Sequence, residues 1–91
     1  MIRTVKIQIS GRVQGVYFRR FTKNKADDLS VKGTIRNKED GRVEIIAQAE
    51  ADILEPFIKG CHKGPITARV DHVELSEMPM NADEFTSFEI I

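Results

Sequence analysis

The first half of the chain switches twice between two hydrophobic periods. Val5, Ile7 and Ile9 fall on one side of the run from Thr4 to Ser10, and Lys6, Gln8 and Ser10 fall on the other, the period-two pattern of a strand with one covered face. Phe18, Phe21, Thr22, Ala26 and Leu29 then recur at steps of three and four. This predicts a helix over 18–29, ending near Ser30, with Arg20, Lys23, Asn24 and Asp27 on its wet side. Val31, Gly33 and Ile35 restore alternation up to Asn37, turn formers fill 37–41, and 42–47 alternates again. These two runs predict a hairpin, with Val43, Ile45 and Ala47 facing inward and Glu44 and Gln48 facing outward.

The second half repeats the scheme. Ala51, Leu54, Phe57, Ile58 and Cys61 predict a helix over 51–62, in which Pro56 deletes a backbone donor and is expected to kink or delay the first turns. Lys63-Gly64-Pro65 ends it. Ala68, Val70, Val73 and Leu75 predict a fourth strand whose inward phase slips after Val70, the sign of a bulge near Asp71-His72, and Pro79 closes it. In the tail, 85–91, Phe88 and Ile90 share one face of a short final strand.

Strand, helix, strand, strand, helix, strand is an order that resembles the ferredoxin-like α/β sandwich, an α+β fold with an antiparallel sheet and both helices on one face. A right-handed crossover makes the first two strands parallel, with the third between them. Their C-terminal ends then share one edge of the sheet. The segment after Ser10 should therefore meet Asn37, which alternation places on the covered face with Ile35 and Val31.

Ninety-one residues allow one domain, 1–91, with one modest core. Fourteen basic and fourteen acidic residues cancel, so the broad positive field of a nucleic-acid binder is missing. Along the sequence the positive charge gathers at Arg12, Arg19, Arg20, Lys23 and Lys25, which favours a small anion over a polyanion. No apolar run approaches membrane-spanning length. Met1-Ile2-Arg3-Thr4-Val5-Lys6 alternates in charge and does not read as a secretory signal. A cytoplasmic monomer without membrane or nucleic-acid partners is expected. The single cysteine, Cys61, permits no intramolecular disulfide and no metal-ligand spacing, so neither a metal nor another cofactor is expected.

The chemistry is concentrated between the first strand and the first helix, in Gly11-Arg12-Val13-Gln14-Gly15-Val16-Tyr17-Phe18-Arg19. Glycines let a backbone turn tightly and bring its amides close to a ligand. A helix N-terminus adds orphan donors and the positive end of a dipole, which suit phosphate. The residues make Gln14, Gly15, Val16, Tyr17, Phe18 and Arg19 candidate phosphate-binding positions through their amides, with the Arg19 guanidinium gripping two oxygens at once. The spacing is neither the Walker pattern nor the dinucleotide fingerprint. A plain strand-to-helix turn carrying a surface arginine accounts for the same letters.

The stretch resembles the acylphosphatase signature Gly-x-Val-Gln-Gly-Val-x-Phe-Arg at every fixed position. Gly33-Thr34-Ile35-Arg36-Asn37-Lys38-Glu39-Asp40-Gly41-Arg42-Val43-Glu44 is similar to that family's second signature, and Gly64-Pro65 with Ala68 and Val70 adds a third likeness. The resemblance runs over nearly the whole chain. It departs from the family at Ser30, where a glycine often ends the helix, at Ala49, where glycine is common, and at Thr34, where an aromatic is common.

The resemblance implies metal-independent hydrolysis of acyl phosphates to a carboxylate and inorganic phosphate. Arg19 would bind the phosphoryl group, Asn37 would orient the water, and a substrate oxygen would take the water's proton. No general acid is needed, because the leaving carboxylate has a conjugate acid of pKa about 4. A noncatalytic phosphate- or acyl-phosphate-binding module is the alternative, since similar domains occur inside larger proteins. A single-stranded RNA binder would need exposed aromatics on the sheet, where Lys6, Gln8, Arg36 and Glu44 stand instead. Asp40 reads as a turn residue, Cys61 as packing, His72 as surface and Arg36 as sheet surface. Arg12 reads as a solvated charge or a source of positive potential, and Tyr17 as either pocket or packing.

Overall fold

The computed structural model describes residues 1–79 and 85–91. Alternation at the start of the chain produces β1 (Ile2–Arg12), longer at both ends than the apolar pattern alone marked. The amphipathic segment forms α1 (Phe18–Leu29), and the hairpin consists of β2 (Lys32–Asn37) and β3 (Val43–Glu50). α2 (Ala51–Lys63), β4 (Arg69–Met78) and β5 (Phe88–Ile90) complete the order. The strands form one sheet in the order β4-β1-β3-β2-β5. β1 and β2 both pair antiparallel with β3, so they run parallel to each other, as a right-handed crossover requires. This is the ferredoxin-like α+β fold. β5 adds one feature beyond the expected antiparallel sheet: it pairs parallel to β2, with Gly33 opposite Phe88.

The inward sets of the strands are fully buried at Val5, Ile7, Ile9, Ile35, Val43, Ile45 and Ala47. Phe18 and Ala26 from α1 and Leu54, Phe57 and Cys61 from α2 join them in one core. Phe57 meets Phe88 edge-on, with ring centroids 6.1 Å apart, a contact worth about 0.5–1.5 kcal/mol beyond the area it buries. This pins the short β5 against α2.

Several expectations change in three dimensions. α2 starts at Ala51 without delay although Pro56 lies inside it. Pro56 and Asp52 are both exposed, so the carbonyl that loses a partner can be hydrated. Gln48 does face away from the helices, but it is buried and its Nε2 donates to the Thr4 hydroxyl at 2.9 Å. Thr4 is its direct cross-strand neighbour. Leu75, at the sheet edge, remains 48% exposed. The bulge falls where the phase slip predicted it: Ser10 pairs with His72 and Gly11 with Val70, leaving Asp71 unopposed. A Cβ on Gly11 would lie 2.2 Å from the Arg69 carbonyl oxygen, so this crowded crossing excludes any side chain.

Ser30 ends α1 in the left-handed region, φ 59° and ψ 38°. The Val31 amide donates to the Ala26 carbonyl at 2.8 Å and closes the last turn. A residue with a Cβ is strained in that conformation and glycine is not. Ser30→Gly should therefore stabilise the protein by about 0.5–1 kcal/mol, read as a higher urea midpoint at unchanged slope.

Cys61 is 2% exposed, and burial pushes its thiol up to about 12. At pH 8 roughly one such thiol in ten thousand is ionised. A disulfide reagent should leave the native protein unmodified over minutes and label one thiol at once in denaturant.

Candidate active site

The loop between β1 and α1 leaves its backbone amides without acceptors among the described residues. Gly15 has φ 72° and Tyr17 has φ 72° and ψ 7°, and Val16 between them is outside the positive-φ region. Alternation of hand along a backbone curls successive N–H groups toward one side, the geometry of an anion nest. From Gln14 to Arg20, no described residue accepts a hydrogen bond from any backbone amide of this loop and first helical turn. α1 has no capping side chain and no acidic residue in its first turn. The nest therefore opens directly onto an uncapped helix N-terminus.

Charge reinforces the geometry. Arg3, Arg36, Arg42 and Arg69 each pair with a carboxylate, from Glu77, Glu44, Asp40 and Asp71 respectively. Arg12, Arg19 and Arg20, all beside the loop, pair with none among the described residues. Cations at a helix N-terminus are opposed by its dipole, so Arg19 and Arg20 stand where an anion is electrostatically favoured. Arg19 and Arg20 line a cavity with Gly15, Tyr17, Phe18 and Ile90.

Asn37 reaches this region through the sheet register. Val43 of β3 stands opposite Ile9 of β1 on one side and opposite Asn37 of β2 on the other. The end of β2 is thus level with the last buried residue of β1 before the loop. A second connection is made by Gln14, whose Nε2 donates to the Lys38 carbonyl at 2.8 Å and to the Arg42 carbonyl at 2.9 Å. This one side chain ties the loop to the base of the hairpin next to Asn37. Asn37 itself is half-buried and is not among the walls of the cavity. Its Oδ1 is buried with no partner, and its Nδ2 makes no hydrogen bond among the described residues.

A model of the Acylphosphatase family matches residues 5–90. The chain belongs to the acylphosphatase family. It is 48% identical over 80 residues to the acylphosphatase of Marinobacter nauticus, covering 88% of this chain and 86% of that protein. The crystal structure of the acylphosphatase from Bacillus subtilis superposes with a TM-score of 0.92 at 32% identity, covering 100% of this chain and 99% of that one. Full-length HypF in its phosphate- and nucleotide-bound form contains a matching portion, with a TM-score of 0.90 at 30% identity, all of this chain and 12% of that one.

Within this acylphosphatase-family site the sequence-derived residues separate by role. Gly15, Tyr17, Phe18 and Arg19 line one cavity, although the Phe18 ring is itself buried in the core and offers the site its backbone. The Val16 amide has no acceptor among the described residues, while its carbonyl accepts from the Thr67 hydroxyl at 2.5 Å. The Gln14 amide likewise has no acceptor among the described residues, but its side chain serves the hairpin. Tyr17, left open by the sequence, is an exposed wall residue.

Lys23 and Lys25 do not join the positive cluster. Lys23 Nζ donates to the Phe88 carbonyl at 2.8 Å and to Asp27 at 3.1 Å. The Lys25 side chain lies against Gly60 of α2. Helical rotation carries both away from the first turn. Asp40 is a turn residue as read: its carboxylate accepts from the Arg42 amide at 3.1 Å and guanidinium at 2.9 Å, and that partner holds its pKa below the usual value.

Two contributors escaped the sequence reading. Ile90 comes from the far edge strand, and the Gln14 side chain crosses to a hairpin distant in sequence; neither leaves a local signal. Gln14→Glu replaces a two-armed donor with a carboxylate facing two carbonyls. It should cost about 2 kcal/mol in urea unfolding and weaken inorganic phosphate binding, with Gln14→Ala intermediate in both measurements.

Proposed function

We propose that the phosphoryl group of an acyl phosphate sits on the amides of residues 14–19, held by the Arg19 guanidinium, and that Asn37 orients the attacking water. The family's activity is hydrolysis of the carboxyl–phosphate bond, with carboxylate and inorganic phosphate as products. The observation that carries this reading is the run of amides without acceptors among the described residues, beside Arg19 and Arg20, which pair with no described carboxylate. Such donors, fixed before substrate arrives, face the equatorial oxygens where phosphoryl transfer rearranges charge. They stabilise the transition state without having to move.

The water oxygen forms its bond to phosphorus as the phosphorus–carboxyl oxygen bond breaks. The electron pair leaves with the carboxylate, and the water's proton passes to a phosphoryl oxygen. Asn37 acts by position and not as a base, because a carboxamide accepts at oxygen and donates at nitrogen but does not take up a proton at neutral pH. Both ends of its amide are uncommitted to described protein groups. A half-turn of the carboxamide exchanges the two ends at nearly the same positions, so either can meet the water. A buried acceptor without a partner costs about 1–3 kcal/mol, and functional sites are where such costs are expected.

The reading includes action as a monomer in the reducing cytoplasm, a setting that suits its one buried thiol. No helix among the described residues is long and apolar enough to cross a membrane.

Two substitutions test the assignment against a noncatalytic binding module. Arg19→Ala should weaken inorganic phosphate inhibition and lower acetyl phosphate turnover together, the latter by at least about 10²- to 10³-fold. Asn37→Ala should abolish turnover while the phosphate inhibition constant stays within about twofold of wild type. Normal hydrolysis by Asn37→Ala would remove the water-orienting role.

A further inference from the structure

In-line displacement requires the entering water and the departing carboxylate on opposite sides of phosphorus. Given the roles assigned above to Arg19 and Asn37, on which this inference rests, the water side fixes the acyl side. Asn37 ends β2, and the strand order puts β4 beyond β1 on the other side of the loop. On that β4 side lies a second cavity, lined by Arg12, Gly15, Val16, Tyr17, Ile66 and Thr67. It shares Gly15 and Tyr17 with the phosphate cavity. The two hollows adjoin along the wall of the loop.

The second cavity has its own chemistry. Ile66 is 102% exposed and Tyr17 58% exposed, yet both line the same hollow. Isolated surface apolar residues need no explanation, but two at the edge of one open depression next to a charged site leave apolar surface beside it for a ligand to cover. Tyr17 stands there in a left-handed conformation that costs about 1–2 kcal/mol outside glycine. The Thr67 hydroxyl, held on the Val16 carbonyl, fixes this wall to the nest. Arg12 pairs with no carboxylate among the described residues, while its cross-strand neighbour Arg69 is engaged by Asp71 at 2.9 Å.

We propose that this cavity is the acyl subsite. It accepts an apolar acyl group, aromatic or branched, against Tyr17 and Ile66, and it presents Arg12 to the carboxylate that forms as the bond to phosphorus breaks. Selectivity for apolar over small acyl groups then resides in Ile66, and charge stabilisation of any leaving carboxylate in Arg12.

Steady-state kinetics with benzoyl phosphate and acetyl phosphate, with inorganic phosphate as competitor, test this on Ile66→Ser and Arg12→Gln. Ile66→Ser should raise KM for benzoyl phosphate by roughly tenfold and KM for acetyl phosphate by less than about twofold. Arg12→Gln should lower kcat for both substrates, with a phosphate inhibition constant changed by less than about twofold. Equal effects of Ile66→Ser on the two substrates, or none on either, would overturn the subsite. An unchanged kcat in Arg12→Gln would overturn its role toward the leaving group. Failure of the phosphate-site reading looks different: wild type would not hydrolyse either substrate, or Arg19→Ala would bind phosphate as wild type does.

Discussion

Val43 carries a neighbour on each side, Ile9 of β1 and Asn37 of β2, and this shared register brings the end of β2 and the start of the β1–α1 loop to one rim. A slip of one residue in the β2–β3 ladder would turn Asn37, together with Ile35 and Gly33, to the other face. The buried set of β2 resists that slip, because Ile35 is fully enclosed. Placement of the Asn37 amide is thus a consequence of core packing. The parallel relation of β1 and β2 follows from the handedness of the crossover through α1, so chirality of the backbone and burial of aliphatic side chains together locate the chemistry.

The loop set on that rim is unfavourable by itself in several ways. Its amides lack acceptors among the described residues, Tyr17 is left-handed, and the helix it starts has cations where the dipole favours anions. A bound anion would satisfy the amides and the cations, whereas the strain at Tyr17 is carried by the backbone whether or not the loop is occupied. Donors already oriented before binding have no reorganisation left to undergo during the reaction. Surrounding structure holds them there: the Phe18 ring anchors the first turn in the core, Thr67 fixes the Val16 carbonyl, and Gln14 fastens the loop to the hairpin.

The hairpin is correspondingly stiff. Asp40 closes its turn on Arg42, the Lys38 amide donates to the Arg42 carbonyl at 2.8 Å, and Lys38 Nζ reaches Gln8 of β1 at 2.7 Å. Gln14 therefore leans on a turn that is already braced. In a chain with one small core, polar side chains at the sheet rim do what a larger protein would assign to further packing. Gln48 and Thr4 play the same part at the opposite end, buried and hydrogen-bonded across the strands.

The elements were legible in the chain because their causes are local: period two in Val5, Ile7 and Ile9, period 3.6 in α1 and α2, turn chemistry at Asp40-Gly41, and the phase slip that marks the bulge at Asp71. Those same local signals, with the signatures around Gly15 and Asn37, pointed to a phosphate nest and its partner. Other features lay beyond local reading because they depend on residues far away along the chain. Whether Lys23 faces an anion or the Phe88 carbonyl, whether Gln48 is wet or buried, and which carbonyls receive Gln14 are decided only when strands pair. Long polar side chains have several reachable partners of similar energy, and tertiary proximity selects among them. Backbone periodicity has no such freedom, which is why the order of elements could be read from the letters while the connections of the site required the fold.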